Sequence, residues 1–232
     1  MKDLNSMDWE NCYSALNKKG YAHLPGVLSK EECESVSNGY SLENLYRSVI
    51  SMARYRFGSG EYKYFNYPLP PLLNELRTNF YQKLQPIANQ WMKVLDIDME
   101  YPAEHRDLLD RCHLKNQKRP TPLILRYEKD GFNTLHQDLY GDIYFPFQVV
   151  FVLSQKGEDY EGGELVFVEQ LPRAQSRAGI VAPDLGDAIV FTTNFRPVNG
   201  SRGYYRAKMK HGVSPVRSGV RYALGVIFHD AA

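Results

Sequence analysis

The chain has 232 residues, enough to bury a core without disulfide or metal staples. Its 28 Lys and Arg nearly cancel its 27 Asp and Glu, so net charge by itself argues for no class of partner. The three cysteines, Cys12, Cys33 and Cys112, are scattered and form no CxxC pair, which excludes a zinc cluster or a disulfide framework and fits reduced thiols in a cytoplasm.

The opening MKDLNSMDWENC is too acidic and polar for a secretory signal, and no apolar run approaches the roughly 20 residues that cross a bilayer. Ser6 is placed to cap a helix through Trp9, Tyr13 and Leu16, which Gly20 ends. YAHLP reads as a short strand. In SKEE, Ser29 and Glu32 form a capping box for the next helix. SLENLYRSVISMARY (41–55) also reads as a helix. Residues 70–95 carry Leu73, Leu76, Phe80 and Leu84 at helical spacing, with Pro86 expected to kink or split the element.

From about residue 121 the period changes from 3.6 to 2. TPLILRY, FQVVFVLS, ELVFVEQ, DAIVFTT and RYALGVIF are short and rich in β-branched and aromatic residues. KDG, EDYEGG, DLGD, NGSRG and RSG separate them as turns. The expectation is one α+β domain over 1–232. Residues 1–120 would form a mainly helical layer, and 121–232 a double-sheet β core of sandwich or barrel type.

The chemistry concentrates in LHQDLYGD, residues 135–142. In a strand, residues i and i+2 share a face, so His136 and Asp138 project together and Gln137 faces away. An imidazole and a carboxylate need a third ligand. A second histidine would complete the facial triad of non-haem Fe(II), which leaves three positions open. Of the six histidines, His211 has the matching context, at the end of a strand. Arg221 follows ten residues later on a returning strand, suited to grip a carboxylate through two parallel hydrogen bonds. His23 and His113 read as surface or satisfied polar residues, and His229 as the end of the last strand. Gly162 and Gly163 read as a turn or bulge.

This arrangement resembles the 2-oxoglutarate and Fe(II)-dependent dioxygenases: HxD, a long gap, a distal His, and Arg about ten residues beyond. EGGEL and GDAIVF are similar to the strands between the ligands, and HGVSPVRSGVR to the prolyl-hydroxylase-like distal motif H-x-V-x-P-V-x-x-G-x-R. The resemblance covers roughly residues 121–230. It implies a double-stranded β-helix (jelly-roll, cupin-like) core. His136, Asp138 and His211 would be the ligands of Fe(II), and Arg221 and Tyr127 the grip on 2-oxoglutarate. Asn133, Thr134 and Gln148 would line the pocket, and Arg217 is the second arginine of the distal motif. Ascorbate would serve as reductant. The implied reaction converts 2-oxoglutarate and dioxygen to succinate and carbon dioxide while a C–H bond is hydroxylated.

The substrate is open in the sequence. HQDLYGD, QSRAG, RPV-x-GSRGYYR and GVIFHDA resemble a bacterial family of oxygenases expected to demethylate damaged DNA bases. Arg47, Arg54, Arg56 and Lys63 stand among Tyr55, Phe57, Tyr62, Tyr64 and Phe65, the mixture that binds single strands. Arg196, Arg202, Arg206, Lys208, Lys210, Arg217 and Arg221 fall in a stretch without Asp or Glu and would set a positive rim around the pocket. A dianionic co-substrate accounts for such a field without nucleic acid. The second arginine-bearing strand of the alkylated-base demethylases does not follow His211 here. That favours hydroxylation of an amino acid, peptide or small metabolite. Demethylation of alkylated bases is the alternative, and a non-catalytic sensor of 2-oxoglutarate or iron a further one.

Overall fold

The computed structural model describes residues 2–232. In chain order the elements are α1 (Trp9–Lys19), β1 (Tyr21–Leu24), α2 (Lys30–Asn38), β2 (Tyr46–Ser51), β3 (Gly58–Ser59), β4 (Glu61–Phe65), α3 (Pro71–Val94) and α4 (His105–Leu114). The β core follows as β5 (Leu123–Tyr127), β6 (Phe132–His136), β7 (Phe147–Val152), β8 (Tyr160–Gly162), β9 (Leu165–Gln170), β10 (Arg177–Val181), β11 (Ala188–Thr192), β12 (Phe195–Gly200), β13 (Gly203–Val213), β14 (Val216–Gly219) and β15 (Arg221–Ile227).

Two antiparallel sheets face each other, as in a double-stranded β-helix. The major sheet has the order β1-β11-β7-β15-β5-β4-β2. The minor sheet runs β10-β9-β13-β6-β3, with β12 also paired to β13. A two-stranded β14-β8 ribbon completes the core.

The central strands of the major sheet are buried on both faces, which is why they read as continuous apolar runs. Period 2 sorts their side chains. Phe147, Val149 and Phe151 of β7, with Leu224 and Val226 of β15, pack in one cluster with Leu73, Leu76, Phe80, Leu84 and Trp91 of α3. The alternate residues look the other way. Gln148 and Val150, Arg221, Ala223, Gly225 and Ile227, and Leu123, Leu125 and Tyr127 of β5 line a cavity of about 240 Å³. A second apolar cluster, including Phe167, Phe191, Met209 and Val216, fills the rest of the space between the sheets.

The structure corrects four expectations. Asp8, not Ser6, caps α1, its carboxylate accepting from the Asn11 N–H, because the Ser6 hydroxyl is spent on the Asp3 carbonyl. Within 41–55 the chain forms β2 and 3₁₀ turns instead of a helix. Leu42, Leu45, Val49 and Met52 imitate a helical stripe, but the β-branched Val49 and Ile50 pair across to Lys63 and Tyr62 of β4. The first 120 residues are therefore not a separate helical layer, since β1, β2 and β4 extend the major sheet. Finally, α3 runs unbroken through Pro86. Pro86 and Gln82 lie on the exposed face, so the carbonyl that proline leaves unpaired is on the solvent side, while Leu84, Ile87 and Trp91 hold the buried face. The capping box at Ser29 and Glu32 and the Gly20 terminus of α1 are as expected.

Candidate metal centre

Two cross-strand pairs build the site, one in each sheet. In the minor sheet, antiparallel pairing sets His211 of β13 directly opposite His136 of β6. In the major sheet, Arg221 of β15 stands opposite Tyr127 of β5. All four side chains face the cavity, together with Asp138, Asn133 and Gln148.

Ligand-capable atoms of His136, Asp138 and His211 lie within 4.8 Å of one another. The His136 Nε2 is 3.4 Å from Asp138 Oδ1, and the His211 Nε2 is 3.2 Å from Asp138 Oδ2. Both Nε2 atoms thus converge on one carboxylate. His136 Nδ1 is taken by the Thr134 carbonyl at 2.7 Å, which fixes the ring and leaves Nε2 for a metal. Asp138 is itself held: the Tyr140 hydroxyl donates to Oδ1 and the Gln148 amide to Oδ2, each at 2.8 Å. Burial works against ionisation of Asp138, but the two histidines outweigh it and hold the carboxyl well below its ordinary range. Burial lowers the His211 imidazole, whereas the Asp138 contact overcomes burial at His136 and raises it. Burial and the same carboxylate push the Tyr140 phenol up, so it remains a donor.

Arg221 is 1% exposed and meets no carboxylate. Its guanidinium lies 5.7 Å from the Tyr127 ring centroid and 5.8 Å from that of Tyr160, and its Nε and one Nη have no hydrogen-bond partner. The Tyr127 hydroxyl is likewise buried without a well-formed hydrogen bond, close to the Asn133 side chain. Burial pushes that phenol up to about 12 against the pull of Arg221. Buried donors left unpaired are costly and uncommon, so this cluster asks for an anion with two oxygens. Gly163 makes room for the Arg221 side chain. A Cβ there would fall 2.7 Å from Arg221 Cδ, and its φ of +63° is one that larger residues rarely adopt. The donor set therefore fits a divalent iron at the histidines and a carboxylate at the arginine.

Other expected residues fall elsewhere. Gln137, expected to face away, lies in the cavity wall, because β6 ends at His136 and the two-residue alternation stops there; its amide donates to the Asn194 and Met209 carbonyls, tying this segment to the chain before β12 and to β13. Thr134 acts through its carbonyl and stays outside the cavity lining. Arg217 is exposed against Glu161. The positive rim does not form as expected. Arg206, Lys208 and Lys210 alternate outward along β13 on the face opposite His211, and Arg196 is buried against Glu169. Tyr62, Tyr64 and Tyr140, cavity residues to which the sequence reading gave no role at the site, make most of the pocket's aromatic wall with Phe57. In the sequence Tyr62 and Tyr64 read as aromatics among cations that bind single strands, and the two-residue alternation is the signal that sets them on one face of β4.

Facing antiparallel sheets, a His-Asp-His cluster and a buried arginine behind it form a centre suited to a divalent metal beside a carboxylate ligand. The comparisons agree. An oxidoreductase of the 2OG-Fe(II) oxygenase family from Burkholderia pseudomallei superposes with a TM-score of 0.59 at 17% identity, over 99% of this chain and 96% of its own. A prolyl-4-hydroxylase from Pseudomonas putida gives 0.58 at 13% identity, over 97% and 100%. At such identities these show the fold. An uncharacterised protein of Mycobacterium tuberculosis is 47% identical over 224 residues, 97% of this chain and 91% of that one. Residues 60–231 match the family Oxygenase-NA, described as oxygenases catalysing oxidative methylation of damaged DNA. The chain belongs to that family. By that description it is an oxygenase, an oxidoreductase.

Proposed function

We propose that His136, Asp138 and His211 hold Fe(II), that Arg221 and Tyr127 hold the distal carboxylate of 2-oxoglutarate, and that the substrate is an alkylated base of nucleic acid. The unpaired Arg221 guanidinium carries the first part: a buried cation with two unpaired donors matches the paired oxygens of a carboxylate. With 2-oxoglutarate and dioxygen, bound Fe(II) supplies an oxidant able to hydroxylate a C–H bond, succinate and carbon dioxide being released.

The chain's own residues orient and exclude. Thr134 fixes the His136 ring, and Gln148 and Tyr140 fix the Asp138 carboxylate, so the residues that would hold the metal present their donor atoms to the cavity. Phe57, Tyr62, Tyr64 and Tyr140 give that cavity flat aromatic walls. Such walls take a planar ring by stacking, and the family description names damaged DNA. Hydroxylation of an N-methyl group leaves a carbinol that loses formaldehyde, so oxidation removes the methyl group from the base.

A second reading is hydroxylation of an amino acid, peptide or small metabolite. The prolyl-hydroxylase-like spacing of His211, Pro215 and Arg221 favours it. The two separate in one assay: succinate and formaldehyde release by the Fe(II)-loaded protein with methylated single-stranded oligonucleotide, or with a pooled amino-acid and peptide mixture. His211→Ala is the blank. The base reading predicts formaldehyde in step with succinate from the oligonucleotide alone. Stimulation by the amino-acid and peptide pool alone contradicts it.

A further inference from the structure

The basic and aromatic segment 46–67 divides in two in the fold. Arg47 donates to the Pro120 carbonyl and lies 4.4 Å over the Tyr64 ring; Lys63 donates to the Tyr40 carbonyl; Phe65 is in the core. These residues are occupied with structure. The remainder stands at the surface. Tyr55 and Phe57 are 48% and 46% exposed, yet their rings stack on each other, centroids 5.6 Å apart and planes 19° from parallel. Exposed Arg54 leans over the Tyr55 ring at 5.7 Å, and Arg56, the residue between the two aromatics in sequence, is also exposed. Neither arginine has an ion-pair partner among the described residues, and no Asp or Glu falls between Glu43 and Glu61.

This surface is tied to the metal centre. Met52, fully buried between the sheets, roots the 3₁₀ turn that presents it. The Phe57 carbonyl accepts from both the Thr134 N–H and hydroxyl, each at 2.8 Å, and the Thr134 carbonyl holds His136. Gly58 allows the close run of β3 against β6, since a Cβ there would fall 2.1 Å from the Phe132 carbonyl oxygen. Phe57 also lines the cavity, so the stacked pair begins at its mouth. Leu135 and Leu139, flanking the HQD triplet, add exposed apolar surface.

We infer that Tyr55 and Phe57 form a stacking platform for the nucleotide next to the one entering the cavity, with Arg54 and Arg56 on the flanking phosphates, so that the protein takes single-stranded nucleic acid. This rests on the base reading of the site. Exposed stacked aromatics beside unpaired cations bind unstacked bases regardless of sequence. A duplex offers no free base face to such a platform, and its target base would first have to be extruded.

The test uses the full chain and unmodified oligothymidine, followed by fluorescence anisotropy at fixed salt, with a duplex of equal length alongside. The single strand binds more tightly. Tyr55→Ala weakens it by about tenfold, Tyr55→Trp retains it, and the Arg54→Ala/Arg56→Ala double variant reduces the salt slope by roughly 1.4, about 0.7 per lost phosphate contact. Equal affinity of Tyr55→Ala and the native protein overturns the platform, as does equal binding of duplex. So does a native dimer that Tyr55→Ala dissociates, because the surface is then a contact between copies. Formaldehyde release from methylated oligonucleotide separates the two claims. If Tyr55→Ala oxidises it as well as the native protein does, the platform is wrong and the base reading stands. If no oligonucleotide is bound or oxidised while another substrate is, the base reading itself falls.

Discussion

Arg77 and Arg221 are each 1% exposed, and both belong to one side or the other of β15, yet they are opposites. Arg77, on α3, spends its guanidinium inside the protein. Nε donates to the Ile227 carbonyl at 2.8 Å, one Nη to the Tyr67 hydroxyl at 2.8 Å, and the other to Asp230 at 2.8 Å and the Phe228 carbonyl at 3.2 Å. Asp230 in turn accepts from Tyr67 and contacts His113 at 3.0 Å. Arg221, on the cavity side, leaves Nε and one Nη unpaired. A buried arginine with every donor matched holds a fold together. One with donors vacant is kept for something that arrives. Side-chain identity and burial do not separate the two cases; the partners do.

The contrast can be broken most forcefully at Arg77. Arg77→Ala leaves Asp230 as a buried charge without its cation, and unfolding free energy should fall by about 3–5 kcal/mol. At roughly 2–4 °C per kcal/mol for a chain of this size, the melting midpoint should drop by about 6–20 °C. Arg221→Met should behave in the reverse manner. It removes unpaired donors, so the melting midpoint without 2-oxoglutarate should hold or rise, while 2-oxoglutarate affinity falls by about 1.5–3 kcal/mol, 10- to 150-fold. Calorimetric titration and thermal unfolding of both variants read the two effects side by side.

Acid sharpens the same contrast. Burial, with Arg77 adding to it, depresses His105 to about 4 and His229 to about 3, so both are neutral in the fold. An unfolded histidine takes its proton near 6.5. Between about pH 6.5 and 4 the unfolded state therefore binds more protons, and stability should fall as pH drops through that window. Asp230 adds a second loss. Burial raises its carboxyl, but Arg77, His113 and Tyr67 bring it below the ordinary value. Its contribution is present above about pH 4 and disappears as pH falls through the lower folded value. Urea unfolding from pH 7 to 4.5 measures the histidine part, and a flat profile contradicts it. The smallest expected effect is at the ligands' support. Tyr140→Phe removes one hydrogen bond from Asp138 and should weaken iron binding by about tenfold with the fold intact.

The chemistry was legible because it rests on short-range chain geometry. His136 and Asp138 are two residues apart, and the ten residues from His211 to Arg221 span the end of β13, all of β14 and the start of β15. Of the five apolar runs of the second half, β7, β11 and β15 are buried on both faces and β5 and β9 only in part, and both patterns leave a compositional mark. What stayed hidden depends on distant pairing. β2 copies a helical pattern, and its partner β4 lies across a turn. β13 alternates exposed Arg206, Lys208 and Lys210 with buried Ala207, Met209 and His211, so the charge that read as a rim around the pocket points outward. Arg77 looks like any helical arginine until Asp230, at the far end of the chain, comes to meet it.

The most direct test of the account is the response of stability to 2-oxoglutarate. Fe(II)-loaded native protein and Arg221→Met would be melted without oxygen, each with and without the co-substrate at about 100 times the native dissociation constant. Ligand that binds the folded state alone should stabilise the native protein by about 2.7 kcal/mol and the variant by much less. An equal shift in both proteins would mean that Arg221 is not waiting for the co-substrate, and the assignment of the cavity would fall with it.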